Sequence, residues 1–362
     1  MGAGVEEGTF GLAERQVAGR ISVGPFGGHG AVAFSPDGEL LAISSGDGTV
    51  RLWNPATGRP VGAPLQAGAG PVGGAFAVAF SPDGTLLASG AGDGTVRLWN
   101  PATGRRVSAI LHSSAQNGAS FGVAFSPDGT LLASGGGDGT VRLWNPATGL
   151  PVGALLHASA QNPVYGVAFS PDGRLLASAD GDGTVRLWNP ATGRSIGVPL
   201  QTGSGPDTGV HGVAFSPDGK LLASGDGDGT VWLWNLATGR RGAGPLHATS
   251  SVRYGVHGVA FSPHGKLLAS ADGDGTVRLW NPATGQPIGA PIQAGAQNGV
   301  VAVAFSPDGK LLAGAGADGT VRLWQVSLFA HPYAALCAYV GPPTPQEWNQ
   351  YASGEPQPKV CG

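Results

Sequence analysis

Seven copies of one unit, VAFSPDG-x-LLAS-x-x-x-DGTVRLWNPATG, run along the chain and restrict it more than any other feature. Their tryptophans fall at Trp53, Trp99, Trp144, Trp188, Trp234, Trp280 and Trp324, at spacings of 46, 45, 44, 46, 46 and 44 residues. A period in the forties with one Trp per unit calls for equal modules, each burying its apolar face on its neighbours. Within a unit, VAF is a short buried strand. SPDG is a turn, with Pro fixing φ and Gly closing it. LLAS is a second strand, Asp-Gly a hairpin signal, and TVRLW an alternating third strand. Asn-Pro-Ala-Thr-Gly turns again before a weaker fourth strand, such as PVGAPLQ at 60–66 or SIGVPLQ at 195–201. Four strands in each of seven units, with no helical signal inside them, predict an all-β closed ring of four-stranded antiparallel blades.

Composition agrees with a packed core. The 65 Gly and 29 Pro among 362 residues would suggest disorder without periodicity, but 41% of the chain is hydrophobic and nine Trp are present. A net charge of −3, with no basic stripe, argues against nucleic acid as a partner. No apolar run nears the ~18 residues of a spanning helix, and the first residues show no basic start leading into an apolar run. The expectation is a cytoplasmic protein with no membrane partner.

At these residues the units resemble WD repeats, and residues 19–327 resemble a seven-bladed WD-repeat propeller flanked by tails at 1–18 and 328–362. The family's Trp-Asp is Trp-Asn in six units (Asn54, Asn100, Asn145, Asn189, Asn235, Asn281) and Trp-Gln325 in the last. The family's loop His survives only at His29, so the His–Asp network the resemblance implies is not expected here. The stretch EWNQYASGEPQPKVC resembles the tail of multidomain bacterial WD-repeat proteins. The tail is expected to hold one or two short helices that cap the last blade: FAHPYAALCAYVG is one candidate, and Thr344-Pro345-Gln346-Glu347 reads as a capping box opening the other. Cys337 and Cys361 either pair across this tail or stay as thiols; a reducing compartment favours thiols.

The last unit lacks a fourth strand after Trp324. GRISVGPF at 19–26 matches GRSIGVPL at 193–200, so the N-terminal segment is expected as the outer strand of the last blade, closing the ring and covering a bare edge.

The DGDG stretches pose a chemical question, because they place two aspartates one residue apart among glycines. A calcium loop would need Gly sixth and Glu twelfth; counted from Asp180, the chain offers Val185 and Ala191. A phosphate cradle needs a helix after the glycines, and here a strand follows. Asp47, Asp93, Asp138, Asp182, Asp228, Asp274 and Asp318 are therefore structural turn residues. The extra carboxylates Asp180, Asp226 and Asp272 are expected as a solvated acidic arc on one rim, open to a basic partner or a divalent ion. The third-strand Arg of each unit is expected as a partly buried stem with a solvated head.

No metal, cofactor or catalytic constellation stands out. The eight His follow no ligand spacing. His112, His157 and His247 alternate with Gln66, Gln201 and Gln293, which suits hydrogen bonding. His211 and His257 share a first-strand position with Phe76, Phe121, Tyr165 and Val301, which suits packing between blades. No Gly-x-Ser-x-Gly elbow is present, and the turn aspartates repeat around the ring as active sites do not. The reading is non-enzymatic: a scaffold for a protein partner. SPDG and NPATG scarcely vary, apart from His264 and Leu236. Variation gathers in the segments before each first strand, on the rim of the Asp-Gly turns. There Arg253 and Tyr254 are the most hot-spot-like pair, with Gln116, Asn117, Gln161, Asn162, Gln297 and Asn298 as further polar contacts. Gly122, Gly166, Gly212, Gly258 and Ala302 stand nearest the axis and offer a partner little to hold. The alternative is a propeller that binds carbohydrate or small ligands in repeated equivalent pockets.

Overall fold

The computed structural model describes residues 17–22, 30–68, 73–107, 110–113, 118–203, 209–249, 255–294 and 299–326. Both cysteines and the expected C-terminal cap fall outside these residues. The described strands form seven antiparallel sheets. The third blade shows the pattern, with an inner strand Ser120–Phe125, then Leu132–Gly136, Thr140–Asn145, and an outer strand split into Leu150–Pro151 and Leu156–His157. In the first and fourth blades the outer strand is continuous, Arg59–Gln66 and Arg194–Gln201.

Each turn has a definite chemistry. In the SPDG turn, Ser35 Oγ donates to Asp37 Oδ1 (2.5 Å) and accepts from the Leu40 N–H (2.9 Å), and Gly38 takes φ 75°. In the six units with Asn after the Trp, that Asn caps the next turn; Asn100 Oδ1 accepts from the Thr103 N–H (2.9 Å). An Asp would make the same bond, which is why Trp-Asn replaces Trp-Asp without changing the turn.

The cores lie between blades. Val50, Leu52 and Leu65 of the first blade pack against Val78, Leu87 and Trp99 of the second. Ile21, Val321 and Leu323 pack in the same way against Val32, Leu41 and Ile43 and so close the ring. On the SPDG rim, a Cβ on Gly84 would stand 3.5 Å from Pro36 Cδ of the preceding blade, and one on Gly38 would stand 3.6 Å from Pro307 Cδ, the same contact across the closure.

The closing strand is Val17–Ser22, paired antiparallel with Thr320–Gln325, with Ile21 opposite Val321 and Ser22 opposite Thr320. The element is the expected one, but its register differs from the 19–26 match. Ile21, not Phe26, takes the place that Leu65 and Leu200 hold opposite Val50 and Val185. Chain length explains the difference. Elsewhere this aliphatic precedes the inner-strand valine by 11 to 13 residues, as from Ile292 to Val303 or from Leu65 to Val78. Ile21 stands 11 before Val32, whereas Phe26 would leave only 6 to cross the blade.

Candidate docking face

The start of each inner strand pairs with the end of the second strand, as Ser120 does with Gly136. The inner-strand starts therefore share a rim with the Asp-Gly turns. One residue per blade faces the axis there: Gly30, Phe76, Phe121, Tyr165, His211, His257 and Val301 line a cavity of about 150 Å³. The five rings touch in sequence, with centroids 5.6 Å apart for Phe76–Phe121 and 5.3 Å for His211–His257, which are stacked, 5.3 Å for the tilted Phe121–Tyr165 pair and 5.0 Å for the edge-on Tyr165–His211 pair. The series packs between blades as expected, and it also forms the mouth of the channel. Burial pushes the Tyr165 phenol above its usual pKa.

The following residue is Gly122, Gly166, Gly212 or Gly258 in four blades and alanine in the other three, because the inner strands nearly touch. A Cβ on Gly122 would lie 2.9 Å from Gly166 Cα, and one on Gly212 would lie 3.0 Å from Gly258 Cα. These positions hold the ring together at backbone distance, and the channel mouth is furnished by their neighbours.

Behind the mouth lies a polar network of Asp, Thr and Arg side chains. In the second blade, Asp93 Oδ1 accepts from the Thr95 N–H (3.2 Å) and Oγ1 (2.5 Å), and Arg97 Nη2 donates to Asp93 Oδ2 (2.9 Å). Arg97 Nη1 also donates to the Ala67 carbonyl of the blade before it. Arg142 reaches Ser113 and Arg322 reaches Ala294 in the same way. The heads of Arg97, Arg142 and Arg322 are thus not solvated as expected; Arg97 is 7% exposed, and its head ties blade to blade. Burial raises the Asp47 carboxyl, but hydrogen bonds from Arg51 and Thr49 outweigh it and hold the pKa at about 2.

The acidic arc is corrected outright. Asp180, Asp226 and Asp272 are 0% exposed. Asp180 Oδ2 accepts from Arg186 Nη1 and Asp272 Oδ2 from Arg278 Nη1, each at 2.8 Å. Burial, against these arginines, pushes both carboxyls up to about 6. The sequence carried a signal of this burial. The equivalent positions in other blades hold Ser45, Ala91, Gly136 and Gly316, all small.

The fifth blade departs from the pattern, because Trp232 stands where the arginine should be. Its Nε1 donates to Asp226 Oδ2 (2.8 Å), and the Thr230 N–H donates to Asp226 Oδ1 (2.9 Å), a bond the turn Asp accepts elsewhere. Arg241, from the outer strand, stacks on Trp232 (3.9 Å to the ring centroid) and donates to the carbonyls of Gln201 (2.8 Å) and Thr202 (3.4 Å). It restores the link to the previous blade from another strand, a role the sequence alone did not reveal. Burial and the neighbouring Asp228 carboxylate push Asp226 up to about 7, while the hydrogen bond from Asp226 holds Asp228 low.

This raised pKa stabilises the fold below the unfolded-chain value of about 3.9, and the contribution is lost as pH rises through 7. Asp226→Asn should therefore gain about 2 kcal/mol relative to wild type on going from pH 5 to pH 8. Urea denaturation of both proteins at the two pH values reads this difference directly. Parallel curves would rule it out.

Of the expected contact residues, Gln161 is exposed and Asn162 half-buried, with the Asn162 N–H donating to Ser159 Oγ (3.1 Å). Gln116, Asn117, Arg253, Tyr254, Gln297 and Asn298 lie outside the described residues, as does His29.

Seven radial sheets around a ring-lined channel define a β-propeller. The family described as "WD domain, G-beta repeat" matches residues 21–54, 65–100, 110–145, 151–189, 197–235, 246–281 and 289–325, and the chain belongs to it. Proteins of this family generally serve as scaffolds for protein interactions. No curated protein matches the chain. Among the described residues, no helix is long and apolar enough to cross a membrane.

Proposed function

We propose that the chain is a non-enzymatic scaffold that docks one protein partner over the rim of the channel mouth. One observation carries this reading. The seven mouth positions hold five different residue types, Gly, Phe, Tyr, His and Val, while the SPDG and NPATG rim scarcely changes. A single partner spanning several blades needs an asymmetric face, and only this rim supplies one. Phe121 and Tyr165 are anchors of the kind that dominate interface energetics. Gln161 and Asn162, together with Arg253 and Tyr254, are proposed as the contacts around them. Affinity capture from lysate of the source organism, with mass spectrometry, compares wild type with Phe121→Ala/Tyr165→Ala, Arg253→Ala/Tyr254→Ala and His264→Asp. A partner held by wild type and His264→Asp but lost by either rim variant is the expected result. A partner held equally by all four would exclude this face.

A second reading, repeated ligand pockets, has an observation of its own. Equivalent grooves open beside the first, fourth and sixth blades, with volumes of about 410, 170 and 430 Å³. Each is lined by the Arg-Leu-Trp of a third strand and a Pro-rich outer strand, for example Arg51, Trp53, Pro60 and Pro64. Stoichiometry separates the readings: one partner per ring, or several glycan or metabolite molecules, counted by native mass spectrometry.

A further inference from the structure

We propose that His211 and His257 form a two-imidazole site for a divalent transition-metal ion of the zinc, nickel and copper group at the channel mouth. Their Nδ1 atoms face each other at 3.2 Å. Two imidazoles bound to one ion at about 2.0–2.1 Å hold their nitrogens about 2.9 Å apart at a right angle and about 3.4 Å apart at a tetrahedral one, so the observed separation lies within that span. Without metal, one ring donates its Nδ1–H to the other. With metal, that proton moves to Nε2 and both Nδ1 lone pairs become ligands.

Packing alone does not ask for these nitrogens. Phe76, Phe121 and Tyr165 fill the same position with ring carbons at similar stacking distances. Among the described residues of this series, two ring nitrogens meet only between the fifth and sixth blades. Both rings are half-buried and line the cavity of about 150 Å³, so an ion enters from the mouth and has room for water ligands. The rings are inclined by 23°. A turn of one imidazole about its soft χ2 aims both lone pairs at a shared ion. The neighbouring Tyr165, whose phenol burial keeps protonated, meets His211 edge-on and contributes no oxyanion. Among the described residues, no three His, Cys, Asp or Glu side chains group closely enough to hold an ion. Water or a docked partner's side chain therefore completes the coordination sphere. Imidazole ligands select zinc, nickel and copper over magnesium and calcium.

The test titrates zinc chloride, and separately magnesium chloride, into the full chain by calorimetry, for wild type, His211→Phe and His257→Val. Phe and Val occupy this ring position in other blades, so both variants keep a side chain the ring already accepts. Wild type should take up one equivalent of zinc and no magnesium. Each variant should lose at least about tenfold in zinc affinity. The copper(II) adduct of wild type should show two nitrogen ligands by electron paramagnetic resonance, and each variant one. Zinc isotherms equal in all three proteins, or no zinc uptake by wild type up to about 1 mM, would overturn the site. Should one variant fail to fold, the other and the resonance signature decide alone.

Discussion

Deleting residues 1–22 should lower the melting temperature by roughly 10 °C and bring on aggregation. Three losses combine. Ile21, 2% exposed, leaves the core it shares with Val32, Leu41 and Ile43, and burial of such a side chain is worth about 1.5–3 kcal/mol. Val321 and Leu323, now 0% and 1% exposed, are uncovered on the same side. The Thr320–Gln325 strand becomes an open edge, a template for pairing with a second chain. Ile21→Ala separates packing from strand loss and should cost about 2–4 kcal/mol while the strand remains. Differential scanning calorimetry on the truncated chain, Ile21→Ala and the full chain decides the matter. A truncated chain that melts with the full one would mean that the ring closes without this strand.

The ring and its closing strand were legible because repetition multiplied weak local signals. One Asp-Gly or one VAF says little; seven at a fixed period fix strands, turns and blade count together. The register of the closing strand was less legible. A local match, GRIS with GRSI, outweighed the non-local demand that the connection span a blade. The burial of Asp180 was hidden for another reason. All five residues of Leu176–Asp180 are buried, so alternation offers no outward face from which to judge the last one. The small residues at the equivalent positions were the usable clue. The blade-linking role of the arginines depends on the previous blade's carbonyls, such as Ala67 beside Arg97, 30 residues away. The mouth of the channel falls between these cases. Its residues were grouped correctly by repeat position, but the cavity they share exists only once seven blades stand around one axis.

Arg186→Met should cost about 3–5 kcal/mol at pH 8, the largest loss expected from a single side chain here. Methionine replaces most of the stem, so packing changes little, while the charge is gone. Asp180 then keeps only the long hydrogen bond from Ser178 Oγ (3.3 Å), and Asp182 loses its Nη2 partner (2.8 Å). A carboxylate at 0% exposure without a cation is costly. The arginine now opposes the upward push of burial on Asp180, so its removal raises that pKa further above 6. At pH 5 the variant's Asp180 is protonated in the folded state, and the deficit should shrink by about half. Asp180→Asn in the same chain should recover most of the loss at pH 8 and abolish its pH dependence. Arg186→Trp should cost less than Arg186→Met, because an indole N–H can serve Asp180 as Trp232 serves Asp226 (2.8 Å). Adding Ser195→Arg should recover more, since Ser195 pairs with Trp188 at the outer-strand place where Arg241 pairs with Trp234. Urea denaturation of the series at pH 5 and pH 8 measures each step. A Met variant equally destabilised at both pH values would mean that Arg186 acts through packing and not through the buried carboxylate.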